Sequence, residues 1–309
     1  MQKRIFLLGA HGQLGSELSP LLSKLGQFRG LSHLELDLLD LNALREELQT
    51  FAPTVIVNAS AYTAVDKAEL KSEISNAMVL NARVPEVLAQ YAKVQNAVLI
   101  HFSTDFVFDG QKNSPYLESD SPRPLSVYGH TKLQGERAIL ESGCQHLIFR
   151  TSWLMGAHGQ NFLKTMLRLA KEKSQLNVVN DQLGAPTSAK WLANVSLRAL
   201  QMCLELLDAQ KPETSPFWGL YHASSSGQTS WHAYASYAIE QAKSLGVVNL
   251  LPTENIHPIA SKDYPSLALR PAFSVLSSQK LTASFQLDVP CWRVAVQDTL
   301  KELLSKNLV

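Results

Sequence analysis

Gly9, Gly12 and Gly15 fall between a short apolar run, Arg4–Leu8, and a helical pattern over 14–25. Glycines at a strand-to-helix step permit a tight turn and let the backbone approach a ligand at the positive end of the helix. That unit opens a parallel sheet, and the first half of the chain repeats it. A second strand is expected over 28–32, a helix over 42–51 capped from the Asp40 region and stopped by Pro53, and a β-branched strand over 54–58. A single helix over 73–93 follows, then a strand over 97–102, a helix over 128–141 and a strand over 146–151. Strands alternating with helices predict an α/β fold: a Rossmann-like, doubly wound parallel sheet covered on both faces.

Beyond Trp153 the rhythm loosens. Helices are expected over 161–174 and 188–207, a short strand over 176–180, a loop over 181–186, an exposed linker over 211–216 and a last sheet strand over 219–224. The remainder from 230 mixes helix, Pro-containing loops and short extended pieces. The expected division is a dinucleotide-binding domain over 1–154 plus about 187–225, and a smaller substrate-binding lobe over about 155–186 plus 226–309.

At 309 residues, 45% hydrophobic and 18% charged, the chain can bury a sizeable core. A net charge of +1 gives no electrostatic reason to expect nucleic acid or an anionic membrane as partner. Cys144, Cys203 and Cys291 are scattered and lack metal-site spacing, so they read as apolar thiols and no metal site is indicated. The opening Met-Gln-Lys-Arg-Ile-Phe-Leu-Leu ends at Gly9, short of an export segment, and the expected location is the cytoplasm.

The chemistry gathers at strand ends. Gly9, Gly12 and Gly15 are candidates for a nucleotide pyrophosphate, with a packing turn as the alternative; their spacing is G-x-x-G-x-x-G, not the common G-x-G-x-x-G. An acid at the end of the second strand would bond a ribose 2′-hydroxyl and repel a 2′-phosphate. Ser32 and His33 stand there instead, with Arg29 near and Glu35 and Asp37 later, which favours NADPH while leaving NADH as a second donor. Small residues in Asn58-Ala-Ser60-Ala61-Tyr62-Thr63 would let the cofactor lie over the sheet. Ser103 and Thr104 end the fourth strand, where a hydroxyl can support a developing alkoxide or simply cap a turn.

Tyr128 and Lys132 follow in Ser-Val-Tyr-Gly-His-Thr-Lys, one helical turn apart on the same face. A cation near a phenol favours its ionisation. Beside a nicotinamide, Tyr128 could protonate an alkoxide as hydride arrives, with Lys132 lowering its pKa and gripping the nicotinamide ribose. Thr104 would fix the carbonyl oxygen. Trp153, Asn161, Lys164, Arg168, Asp181, Gln182 and Arg270 are candidates for the substrate side; Trp153 reads equally as a core aromatic, and Arg168 as part of a solvated helix face. His101 and His222, inside strands, read as core or edge residues.

Together these segments resemble the extended short-chain dehydrogenase/reductases and, among them, the dTDP-4-dehydrorhamnose reductase family. The resemblance runs through 57–69, Ser-Thr-Asp-Phe-Val-Phe-Asp-Gly at 103–110, 127–136, Arg-Thr-Ser-Trp at 150–153, 161–170, Asn-Asp-Gln-Leu-Gly-Ala-Pro-Thr at 180–187, Gly-Leu-Tyr-His at 219–222 and Leu-Arg-Pro at 269–271. It implies NADPH-dependent reduction of dTDP-4-dehydro-β-L-rhamnose to dTDP-β-L-rhamnose, the last step in making this sugar donor for cell-surface polysaccharide such as lipopolysaccharide O-antigen. It implies Thr104, Tyr128 and Lys132 as catalytic residues, and cofactor contacts from Gly12, Gln13 and Leu14, from Asp37 and Leu38, and from Ser60 to Thr63. Asp105 and Trp153 would meet the substrate. Some relatives form homodimers through magnesium held by glutamates. Glu17 matches one such position, but Lys190 stands where a glutamate is expected, so the metal is not carried over. Two alternatives stay open: another nucleotide-sugar 4-ketoreductase, or an NADP-binding regulatory subunit like that of methionine adenosyltransferase.

Overall fold

The computed structural model describes residues 3–208 and 217–308; the linker expected over 211–216 lies outside them. The first half forms β1 (Arg4–Leu8), α1 (Gln13–Leu22), β2 (Gln27–Leu31), α2 (Leu41–Phe51) and β3 (Val55–Asn58), then α3 (Ile74–Met78), α4 (Val84–Gln95), β4 (Val98–Thr104), α5 (Val127–Ser142) and β5 (Gln145–Thr151). The second half carries β6 (Leu154–Met155), α6 (Phe162–Glu172), β7 (Leu176–Val179), β8 (Leu183–Gly184), β9 (Thr187–Ser188), α7 (Ala189–Asp208), β10 (Gly219–His222), β11 (Thr229–Ser230), α8 (Trp231–Ser244), β12 (Ile256–Ile259), α9 (Gln279–Phe285) and α10 (Trp292–Ser305). The loop expected over 181–186 contains the two residues of β8, which pair with β11.

Six strands make the main sheet in the order β10-β5-β4-β3-β1-β2, every neighbouring pair parallel. Both faces are covered, which is why β3 and β4 are buried along their whole length and read as continuous apolar runs. Leu14, Leu18 and Leu22 of α1 pack with Leu192, Val195 and Leu200 of α7 on one face. Leu44 and Leu48 of α2, Leu88 and Ala92 of α4 and Ile139 of α5 cover the other. A separate core joins Leu163 and Leu167 of α6, Ile239 of α8 and Val296 and Leu300 of α10.

Two local features carry the main sequence signals. Asp40 caps α2, its Oδ1 accepting from Asn42 N–H at 2.9 Å and Ala43 N–H at 3.1 Å. The expected single helix over 73–93 is instead α3 and α4 joined by a π-helical turn, Val79–Arg83. Pro85 cannot donate to the carbonyl of Asn81, so the α ladder is interrupted there. The Asn81 side chain, held in that turn, donates to Tyr62 O at 3.1 Å and Thr131 Oγ1 at 3.1 Å. It thereby ties the loop after β3 to α5.

Candidate active site

The carboxyl ends of β1, β2, β3 and β4 present the glycine turn, Ser32, Asn58 and Thr104 along one edge, where ligands of open α/β sheets bind. Gly9 takes φ +76°, and a Cβ there would lie 2.8 Å from the Ala59 backbone. Only glycine lets the first turn nest against the exit of β3. Helix α1 begins with Gly12 as N-cap, no side chain caps its first N–H groups, and no acid stands in its first turn. Those donors suit a phosphate. Leu14 anchors the turn in the core, and Gln13 Oε1 accepts from Asn161 Nδ2 at 3.0 Å, joining the turn to the N-cap of α6.

At the end of β2, Ser32 is buried and donates through its N–H and its Oγ, both at 2.8 Å, to Glu35 Oε2. Backbone and side-chain bonds from Ser32, aided by His11 and Arg29, hold the Glu35 carboxyl below its usual range. An acid therefore does reach this strand end, from three residues downstream. His33 and Asp37 are exposed, Asp37 accepting from Leu39 N–H at 2.9 Å, and Leu38 packs on the core. Ala61 and Tyr62 are half-buried and Thr63 exposed; Tyr62 donates its hydroxyl to Glu73 at 3.0 Å.

Ser126 Oγ caps α5 by accepting from Gly129 N–H at 3.1 Å, which puts Tyr128 in the first turn. A Cβ on Gly129 would lie 2.3 Å from Phe106 O, so glycine there lets α5 press against the turn after β4. Tyr128 meets Phe106 edge-on, with ring centroids 5.7 Å apart, and lies near the Thr104 hydroxyl. Burial pushes the phenol up to about 12, against the Thr104 hydroxyl and with the help of Asp105. The sequence reading had Lys132 lowering this pKa. In the structure the buried Lys132 Nζ instead donates to Phe102 O at 2.6 Å and lies 3.4 Å from His101 Nε2. Burial lowers the lysine to about 8, with Glu136 opposing.

Thr104 Oγ1 donates to Asp105 Oδ1 at 3.0 Å and accepts from Phe106 N–H at 3.1 Å. Asp105 is buried, with Ser152 donating to its Oδ2 at 3.0 Å. Burial raises its carboxyl to about 6 against the hydroxyls of Ser274, Ser152 and Thr104. Ser103 is buried behind Thr104, its Oγ unpaired.

The substrate-side candidates divide. Trp153, at φ +45°, stacks on Trp231 with ring centroids 3.5 Å apart, so one indole face is already covered by protein. Asn161 caps α6 and touches the glycine turn. Lys164 donates to Ala157 O and Gly159 O, while Arg168 pairs with Glu172 on the exposed flank of α6, away from that contact. Asp181 and Gln182 both bond to Ser261. Arg270 pairs with Asp66 in the loop after β3. Sequence reasoning placed Glu35 only as an acid beyond the strand end, missed Asp66, Ser152 and Ser274, and set aside His101; only the cross-strand register, which pairs Asn58 with His101, signals the last.

Glu17, His158 and Glu302 bring donor atoms within 4.8 Å of one another. Lys306 Nζ sits 2.6 Å from one Glu302 oxygen and Lys190 Nζ 3.8 Å from the other. Two ammonium groups on that carboxylate do not fit a magnesium ion, and no chemistry below runs through one.

The family model for the RmlD substrate binding domain matches residues 3–305. A dTDP-4-dehydrorhamnose reductase of Shigella flexneri is 42% identical over 309 residues, 99% of each chain. The crystal structure of a dTDP-4-dehydrorhamnose reductase from Clostridium acetobutylicum is similar at TM-score 0.84 and 31% identity, covering 97% of this chain and 99% of that one. The Bacillus anthracis dTDP-4-dehydrorhamnose reductase in complex with NADP is similar at TM-score 0.83 and 31% identity, covering 98% and 100%.

Proposed function

The chain belongs to the RmlD substrate binding domain family, and on that premise we propose that it is an NADP-dependent oxidoreductase that reduces the 4-keto group of dTDP-4-dehydro-β-L-rhamnose to give dTDP-β-L-rhamnose. The observation that carries the reading is the placement of Thr104, at the end of β4, and Tyr128, in the first turn of α5, on the sheet edge that also carries the uncapped N-terminus of α1. The relatives named above span the same length and carry that name.

Bound NADPH supplies the hydride. Tyr128, half-buried and with its pKa raised by desolvation, gives its hydroxyl proton to the carbonyl oxygen as that oxygen gains charge. Thr104, its hydroxyl turned from Asp105 Oδ1, donates to the same oxygen and sets its direction. Lys132, one turn on along the same helix face, holds a ribose hydroxyl. The α1 N-terminus, Gly12, Gln13 and Leu14 receive the pyrophosphate; Ser32 and its neighbours meet the adenosine ribose; Ser60 to Thr63 flank the nicotinamide half. Asp105 and Asn161 line the substrate side. Residues about 155–186 with 226–309 serve as the substrate lobe, and residues 1–154 with about 187–225 as the dinucleotide domain.

Among the described residues no helix is long and apolar enough to cross a membrane. The reaction draws on reduced nicotinamide nucleotide and a sugar nucleotide, which supports a cytoplasmic location. A homodimer is the remaining partner proposal, read by light scattering. The test of the function is purified protein with NADPH and dTDP-4-dehydrorhamnose: NADPH consumed one for one with dTDP-rhamnose formed supports it. Tight NADP binding without turnover of any 4-ketosugar nucleotide would favour the regulatory-subunit reading.

A further inference from the structure

Asn58, His101 and Lys132 form a buried chain of polar atoms whose direction is set at one end. Asn58 Oδ1 accepts from Ser60 N–H at 3.2 Å and from Ser60 Oγ at 2.6 Å. A backbone N–H can only donate, so the amide is oriented with Nδ2 outward, and Nδ2 lies 3.2 Å from His101 Nδ1. Nδ1 must then carry the lone pair. His101 is buried, and burial together with Lys132 pushes its pKa well below the usual value, so the ring is neutral. A neutral ring with a bare Nδ1 carries its proton on Nε2, the atom facing Lys132 Nζ at 3.4 Å. Two donors meet there whenever the lysine is an ammonium. When it is an amine, its lone pair can accept Nε2–H while one of its own N–H groups keeps Phe102 O.

We propose that His101, oriented by Asn58, is a positioning residue for Lys132: it presents Nε2–H to the lysine and opposes the ammonium form, so that this lysine exchanges its proton readily. The proposal rests on the reading of Lys132 as part of the reductase site. The titrating groups around Lys132 are His101 on β4 and, on α5, Tyr128 one turn before and Glu136 one turn after. Glu136 is held by a buried bidentate pair with Arg150 of β5, with bonds of 2.9 and 2.6 Å. Asp105 raises the Tyr128 phenol. His101 is therefore the neighbour whose tautomer decides which way Lys132 is biased.

The other two interior imidazoles serve as internal references. His146 Nδ1 lies 2.8 Å from Cys144 O and His222 Nδ1 lies 3.0 Å from Tyr116 O, so both carry their proton on Nδ1. Long-range 15N–1H correlation spectra of histidine-labelled wild-type protein without nucleotide should show two interior rings protonated on Nδ1 and one on Nε2. Three Nδ1–H rings would overturn the proposal. The second measurement is NADPH affinity against pH for wild type and His101→Phe, a change that adds no charge and keeps a ring in place. Opposition removed means the alkaline fall in affinity moves up, by about half a pH unit or more. No movement would make His101 merely structural, and movement downward would mean that Nε2 accepts from the ammonium; either result sinks the proposal. Failure here leaves the reductase reading intact, because the tautomer is read without turnover; failure of that reading would appear as absent ketosugar reduction with the tautomer pattern unchanged.

Discussion

Arg270 reaches from the C-terminal half of the chain to Asp66 in the loop after β3, Nη2 to Oδ2 at 2.6 Å. Asp66 also accepts from the N–H groups of Leu267 and Ala268 at 3.1 Å. One carboxylate thus holds the 266–270 segment against a loop that leads to the cofactor edge.

Burial works against the Asp66 charge, but the bonds from Arg270, Ala268 and Ser266 bring its carboxyl down to about 2. A depressed acid contributes stability above its unfolded value of 3.8 and loses it as pH falls toward 2. Because the Asp66 side chain is 41% exposed, the contribution is screened, and Asp66→Asn should cost under about 1 kcal/mol at neutral pH. Urea midpoints measured between pH 5 and pH 2 should fall less steeply in the variant than in wild type. Identical slopes would show that the pair adds nothing to folding.

Asp105 shows the opposite sign. Its folded-state carboxyl is raised to about 6 by burial, so the folded protein binds a proton more readily than the unfolded chain from pH 3.8 up to 6, and stability declines as pH rises through that window. Asp105→Asn removes the buried charge and leaves one amide oxygen to accept where two carboxylate oxygens took the Thr104 and Ser152 hydroxyls. The variant should be more stable at pH 7.5, by roughly 1–2 kcal/mol, and less active, the pattern of a site that holds strain for function. Thermal melts and turnover on the same samples check both halves. A less stable variant would mean that these hydroxyls outweigh the desolvation.

Glu35 bears on the choice of cofactor. Its carboxylate, anchored on Ser32, stands where a 2′-phosphate would approach. Glu35→Gln should favour NADPH over NADH, by only about two- to fivefold, since the group is exposed and salt screens it. Competitive binding of the two nucleotides at low and moderate salt reads the ratio; an unchanged ratio would remove Glu35 from the ribose site.

Much of this arrangement was legible before any coordinates. The run Arg4–Leu8, the cap at Asp40 and the Tyr128–Lys132 spacing depend on contacts within a few residues, and they appear where local periodicity puts them. The helix over 73–93 looked continuous because its apolar periodicity runs through Pro85, where the ladder breaks; the packing of Asn81 against Tyr62 and Thr131, which holds the widened turn, is tertiary and not legible in the sequence. Trp153 could not be assigned a partner, since Trp231 lies 78 positions away in sequence and meets it only through tertiary packing. His101 was hidden for a similar reason. A histidine in an apolar strand looks like a filler, and its role depends on the register that sets it opposite Asn58.

The most direct test replaces the phenol alone. Tyr128→Phe keeps the ring against Phe106 and removes only the hydroxyl. With NADPH and dTDP-4-dehydrorhamnose, turnover should fall by roughly 10²- to 10⁴-fold while NADPH affinity stays within about threefold of wild type. Turnover equal to wild type, with the variant folded and binding NADPH, would contradict Tyr128 as the proton donor.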